Sequence, residues 1–116
     1  MSALTDNESW MIDAGDDVIQ KERRTGIASL SAVERLIDCL WVADCGMRNA
    51  GDLEAARDVD AHFQTEAAQL SKEAGLRATH EAFALSRESL EREYFGRFEG
   101  ICDEIRGRIR RDCDEE

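Results

Sequence analysis

Hydrophobic residues recur along most of this chain in steps of three and four, the period at which an α-helix returns to one face. Trp10, Met11, Ala14, Val18 and Ile19 form the first such stripe. Thr5-Asp6-Asn7-Glu8 stands ahead of it in the form of a capping box, so a helix is predicted from there to about Arg24, with Gly26 as its stop. Gly15 and the acids Asp13, Asp16 and Asp17 weaken that helix. A second capping box, Ser31-Ala32-Val33-Glu34, opens the clearest helix, whose apolar side carries Val33, Leu36, Ile37, Leu40, Trp41 and Met47. The segment Arg48-Asn49-Ala50-Gly51 closes it.

Asp52 suits the N-cap of a third helix over residues 53–74, in which Leu53, Ala56, Val59, Phe63, Ala67 and Leu70 keep the same step and Gly75 follows as the stop. A fourth stretch begins near Leu76, with Phe83 and Leu85 as its main apolar residues and an interruption at Ser86 or Ser89. The last helix runs to about Arg110 on Leu90, Tyr94, Phe98, Ile101, Ile105 and Ile109, with Phe95 and Cys102 at its flanks. Residues 112–116 form an acidic tail expected to fray. The pattern predicts an all-α single domain over residues 1–116, a compact bundle of four to five helices with short loops.

Composition supports that reading. The chain has 116 residues, no proline and eight glycines, and no segment rich in β-branched residues. At 42% apolar it can build a core, and at 35% charged it needs an extensive solvated surface. The formal net charge is −11, which repels nucleic acid and anionic membranes and favours a basic partner. No apolar run is long enough to span a bilayer and no secretory leader pattern opens the sequence, so cytoplasmic residence with reduced thiols is expected.

The chemistry-bearing motifs are sparse. There is no P-loop, no dinucleotide glycine fingerprint and no His-Glu-x-x-His. The acidic run from Asp13 to Asp17 places Arg24 at the twelfth position of a calcium loop, where a bidentate glutamate is required. Asp58, His62 and Glu66 follow one another at i, i+4 on the expected third helix, with His80 on the next, as the best metal-ligand spacing. A solvated helix face explains the same residues, and neither metal, cofactor nor catalytic residues are expected. Cys39, Cys45, Cys102 and Cys113 form no Cys-x-x-Cys pair, and Cys39 and Cys102 read as core residues.

Asp44 sits in the middle of the apolar side of the second helix, where a carboxylate is costly unless it is hydrogen-bonded. Its expected partners are Arg48 or the amides of the 49–52 turn. Gly96, Gly100 and Gly107 lie on one side of the last helix, which predicts close approach of a neighbouring helix or of a second subunit through the Gly96/Gly100 face.

The acids are unevenly compensated. In the last helix Glu88 and Arg92, Glu93 and Arg97, and Glu104 and Arg108 all stand at i, i+4 in the favourable order. From Asp52 to Glu66 five acids (Asp52, Glu54, Asp58, Asp60, Glu66) face a single base, Arg57. Carboxylates four residues apart on a helix are separated by about 6 Å along its axis, similar to successive phosphates of one DNA strand. With Asp13, Asp16 and Asp17 these residues are the expected partner-binding set.

Glu34-Arg35-Leu36-Ile37-Asp38-Cys39-Leu40-Trp41-Val42-Ala43-Asp44, followed by Arg48-Asn49-Ala50-Gly51, resembles a bacterial DNA-mimic protein family catalogued largely as a domain of unknown function. That family is helical and acidic, with an aromatic-rich helix leading into an asparagine–glycine–glycine–phenylalanine turn. Gly75-Leu76, Ala82-Phe83-Ala84-Leu85, Leu90-Glu91 and Tyr94-Phe95 extend the resemblance over about residues 31–109. Ala50 stands here for one family glycine, and Asp52 and Leu53 stand near its aromatic. The resemblance implies that Asn49 and Gly51 shape a turn, and that the protein binds a DNA-binding protein in place of DNA. The expectation is a non-enzymatic acidic inhibitor: a transcription-factor inhibitor, an anti-CRISPR-type blocker of a nucleic-acid-guided defence complex, or an immunity protein for a basic toxin nuclease. A helical scaffold or oligomerisation module is the alternative.

Overall fold

Both capping boxes close as their sequences predict. In the computed structural model, which describes residues 5–59 and 61–114, Thr5 Oγ1 accepts from the Glu8 amide at 3.1 Å and Glu8 accepts from the Thr5 amide at 2.9 Å. Ser31 and Glu34 repeat the exchange at 3.1 and 2.8 Å. The helices they open are α1, Asp6–Thr25, and α2, Ala32–Ala50, joined through a 3-10 turn at Ile27–Ser29. Gly51 ends α2 with φ +76°, a left-handed conformation that a side chain would strain.

The remaining elements are α3 (Glu54–Val59), α4 (Phe63–Ala74), α5 (Arg77–Phe83) and α6 (Arg87–Asp114). The structure is an all-α bundle, with six α-helices among the described residues. The expected single helix over 53–74 is two helices, separated by a turn at Ala61 and His62. Neither proline nor glycine marks that break. Asp60 and the side chain of Val59 lie outside the described residues. At the far end α6 continues through Asp112 to Asp114 instead of fraying there, and Arg108 Nε holds Asp112 one turn on at 3.0 Å. Glu115, Glu116 and the side chain of Cys113 are outside the described residues.

α2 is the hub and touches α1, α3, α4 and α6, while α5 lies between α4 and α6. The predicted stripes supply the core: Leu36, Ile37, Leu40 and Met47 from α2, Phe63 and Ala67 from α4, and Leu90, Tyr94, Ile101 and Ile105 from α6. Each large buried side chain contributes about 1.5–3 kcal/mol of transfer free energy. The radius of gyration is 13.5 Å, close to the ~13 Å of a well-packed chain of this length.

Polar contacts set how the helices meet. Glu104 of α6 accepts from the Ala78 and Thr79 amides at 2.8 and 2.7 Å and from the buried Thr79 hydroxyl at 2.7 Å. It thereby caps α5, whose own N-cap residue, Leu76, has no side chain that accepts a bond. One turn further, Arg108 donates to the Ala74 carbonyl at the end of α4 at 3.0 Å. The pair expected to neutralise itself along α6 instead clamps the α4–α5 turn from both sides. Glu93–Arg97 does form within the helix at 3.0 Å, whereas Glu88 lies 3.9 Å from Arg87 and Arg92 donates to Ser89. On the opposite face of the same stretch of α6, buried Asn7 donates to Glu99 and Asp103 and accepts from Arg106, which fastens the start of α1.

The glycines of close approach are not those of α6. A Cβ on Gly96, Gly100 or Gly107 would meet nothing within 4 Å, so no internal helix compensates them. Gly15 and Gly46 take that role. A Cβ on Gly15 would collide with the Trp41 ring, and one on Gly46 would lie 3.1 Å from the Asp52 carbonyl and 3.3 Å from Ala56.

Candidate partner-binding surface

Helix α1 buries Asn7, Met11, Gly15 and Val18. At 100° per residue this puts Asp13, Asp16 and Asp17 all on the outer half of the helix, Asp16 on the α2 side of Asp13 and Asp17 on its other side. All three are exposed. Asp16 accepts from Gln20 at 2.7 Å, and none of the three joins an ion pair among the described residues. On α3, Glu54 and Asp58 are exposed and likewise unpaired among the described residues. Two i, i+4 carboxylate pairs therefore face solvent, Asp13 with Asp17 and Glu54 with Asp58.

The remaining expected acids are placed differently. Glu66 is half-buried, receiving Arg35 at 2.9 Å and the Cys39 thiol at 3.8 Å. Asp52 accepts from the Glu54 amide at 3.0 Å, at the start of α3. Asp60 lies outside the described residues. The long stripe expected over 52–66 is therefore not continuous, because the chain turns between α3 and α4 and Glu66 is half-buried against Arg35 at the groove wall.

The same turn removes the metal-ligand spacing. Asp58 and Glu66 belong to different helices, with His62 in between as the N-cap residue of α4. His80 Nδ1 lies 2.8 Å from the Ala68 carbonyl. Among the described residues no group of three or more His, Cys, Asp or Glu side chains is placed to hold a metal ion.

An open groove of about 760 Å³ runs along α2 between α1 on one side and α3 and α4 on the other. Its floor is a single helix face, Asp38, Trp41, Val42, Cys45, Gly46 and Asn49, at steps of three and four. Ile19 and Glu22 of α1 and Ile27 beyond it form one wall, and Ala55, His62 and Glu66 stand on the other. Ile27 is 51% exposed, and Ile12, two turns before Ile19 on the same side of α1, is 47% exposed. Asn49 is in the last turn of α2 and lines the groove, while Gly51 makes the turn itself. A second hollow of about 430 Å³ between α4 and α5 carries Arg57 and Arg87 at its edge, so the two differ in the sign of their charge.

Beneath this surface Asp44 is anchored by a network. Its carboxylate accepts from Arg48 Nε at 2.9 and 3.0 Å and from the buried Tyr94 hydroxyl at 2.6 Å. Arg48 also bonds Glu8 at 2.8 Å and lies over the Phe95 and Phe98 rings at 5.5 and 5.0 Å. Arg48 was foreseeable from its spacing; Tyr94 was not, and the 49–52 amides are not the partners. Burial pushes the Tyr94 phenol well above its ordinary range, and adjacent Asp44 adds to this. The Thr5 amide and the Arg48 guanidinium hold the Glu8 carboxyl below the usual range. Burial raises the Cys102 thiol to about 12, with Glu99 and Asp44 adding, and raises Cys45 as well. These two thiols are poor nucleophiles.

Comparison with protein-family models, with curated proteins and with solved structures returns no match to this chain. Among the described residues no helix is long and apolar enough to cross a membrane.

Proposed function

We propose that this protein is a non-enzymatic acidic binding protein, an inhibitor or DNA mimic that covers a basic, nucleic-acid-binding surface of a partner. The observation that supports the reading is the residue of negative charge left after internal pairing. Asp13, Asp17, Glu54 and Asp58 stay exposed without ion pairs among the described residues, as two i, i+4 pairs whose members are about 6 Å apart along the helix axis. Carboxylates held on rigid helices present fixed charge at little entropic cost, which suits a guanidinium- or ammonium-lined surface. The buried tyrosine–carboxylate–arginine cluster and the low nucleophilicity of Cys45 and Cys102 fit a scaffold for that surface better than a reaction centre. The resemblance of residues 31–109 to DNA-mimic proteins points the same way. The partner class is a DNA- or RNA-binding protein, including a nucleic-acid-guided defence complex or a basic nuclease.

The test is capture from a host lysate at low and high salt, with wild-type protein and with Asp13, Asp17, Glu54 and Asp58 all changed to Lys. A basic partner should be retained by the wild type at low salt only, be displaced by duplex DNA, and be lost on charge reversal. Retention by the reversed protein at high salt would reject the reading.

A further inference from the structure

We infer that the groove along α2 receives a cationic amphipathic α-helix of the partner, so that the partner is held by an apolar anchor as well as by charge. This rests on the proposed basic partner and specifies the element that docks. The groove floor from Asp38 to Asn49 covers about 16 Å of helix axis, the length of three turns. Its walls are helices, and there is no strand among the described residues to offer an edge for an extended peptide. Trp41, Val42, Ile19 and half-exposed Ile27 supply the apolar contact that anchoring side chains at i, i+3, i+4 and i+7 require.

Charge selects the occupant. Among the groove residues are three carboxylates, Glu22, Asp38 and Glu66, and neither lysine nor arginine. Arg35, one turn before Asp38 on the same face of α2 and partly exposed, pairs with Glu66 at 2.9 Å and neutralises that carboxylate, which leaves Glu22 and Asp38 in excess. The Lys21–Glu34, Gly15–Trp41 and Arg48–Glu8 contacts show that α1 and α2 run antiparallel, which puts Glu22 level with the first half of α2. Glu66, bound to Arg35, lies at the same level. The groove therefore has an acidic end near Asp38 and an uncharged end at Cys45, Gly46 and Ala55. Asp16, three residues before Ile19, and Asp58, three after Ala55, border the two walls from outside. An occupant with apolar residues on one face and lysine or arginine at one end and along its outer edges matches both features, whereas a uniformly apolar or an acidic helix does not.

The probe is a synthetic helix of about 14 residues, leucine on one face and lysine on the other, against a scrambled peptide of equal composition and charge that has no apolar face. The designed helix should bind at least about tenfold more tightly than the scramble. It should shift the indole signal of Trp41 in nuclear magnetic resonance spectra while leaving that of Trp10 in place. Ile27→Lys, at an exposed position that the fold does not need, should remove the preference, and Val42→Arg should do the same. Equal binding of both peptides, lost only on reversal of Asp13, Asp17, Glu54 and Asp58, would overturn the groove and leave the acidic-surface reading standing. Binding of neither peptide at low salt would overturn both. A stable dimer of the protein alone, dispersed by Ile27→Lys, would also overturn the inference by making a second copy the occupant.

Discussion

The Tyr94 hydroxyl of α6 donates to Asp44 Oδ1 of α2 at 2.6 Å, in the core of the bundle and 50 residues away in sequence. Tyr94 is fully buried and Asp44 is 8% exposed. Asp44→Ala leaves a buried phenol without its acceptor and costs about 1–3 kcal/mol. Tyr94→Phe removes the donor while Arg48 still holds the carboxylate, and should cost less, about 1 kcal/mol. Urea denaturation of the two single variants and the double variant gives the coupling. Additive losses would show that the contact contributes nothing of its own.

Glycine substitutions should divide by position. Ala at Gly96, Gly100 or Gly107 meets open space and should stabilise the protein by about 0.5–1 kcal/mol, since glycine in a helix interior is unfavourable. Ala at Gly15 forces the Trp41 ring aside and should destabilise it by about 1–3 kcal/mol despite the better helix propensity. Thermal melts of the four variants are sufficient. Stabilisation by Gly15→Ala would contradict the packing of Trp41 on α1.

Removing the α6 clamp should loosen a defined place. Glu104→Ala takes away the acceptor of two α5 amides and the Thr79 hydroxyl, at a cost of about 1–3 kcal/mol. Hydrogen exchange should accelerate most at Ala78 and Thr79. Uniform acceleration across the chain would mean global destabilisation and no capping role.

Acid should unfold the protein partly through its capping carboxyls. Glu34 is held below its ordinary pKa of 4.5 by Lys21 and by the Ser31 amide, and Glu8 by the Thr5 amide and Arg48. Folded, both release their protons more readily than in the unfolded chain. Their contribution is therefore complete above about pH 4.5 and is lost as pH falls through the lower folded values. Glu34→Gln should lower stability near neutrality and flatten the decline below pH 4.5, while a parallel pH profile would refute the linkage.

The local rules were readable in the sequence by itself. Two capping boxes, the stop glycines Gly26, Gly51 and Gly75, and the apolar steps along α2 and α6 specify where helices begin, end and turn their greasy sides, because those effects act within one or two helical turns. The all-α class followed from them, as did the Arg48 partner of Asp44 at i, i+4. What depended on which helix lies beside which was not readable. The break between α3 and α4 has no local marker. Glu104 and Arg108 have the spacing of a surface pair, yet each finds a stronger use on the α4–α5 turn, where unsatisfied amides and carbonyls attract them. The three glycines on α6 suggested close packing, but Gly15 provides it, because only the docking of α1 on α2 brings Trp41 there. The acidic surface changed in the same way. Its members were visible as letters, but packing half-buried Glu66 against Arg35, left Asp13, Asp17, Glu54 and Asp58 outside, and opened an apolar groove along α2 that no single segment encodes.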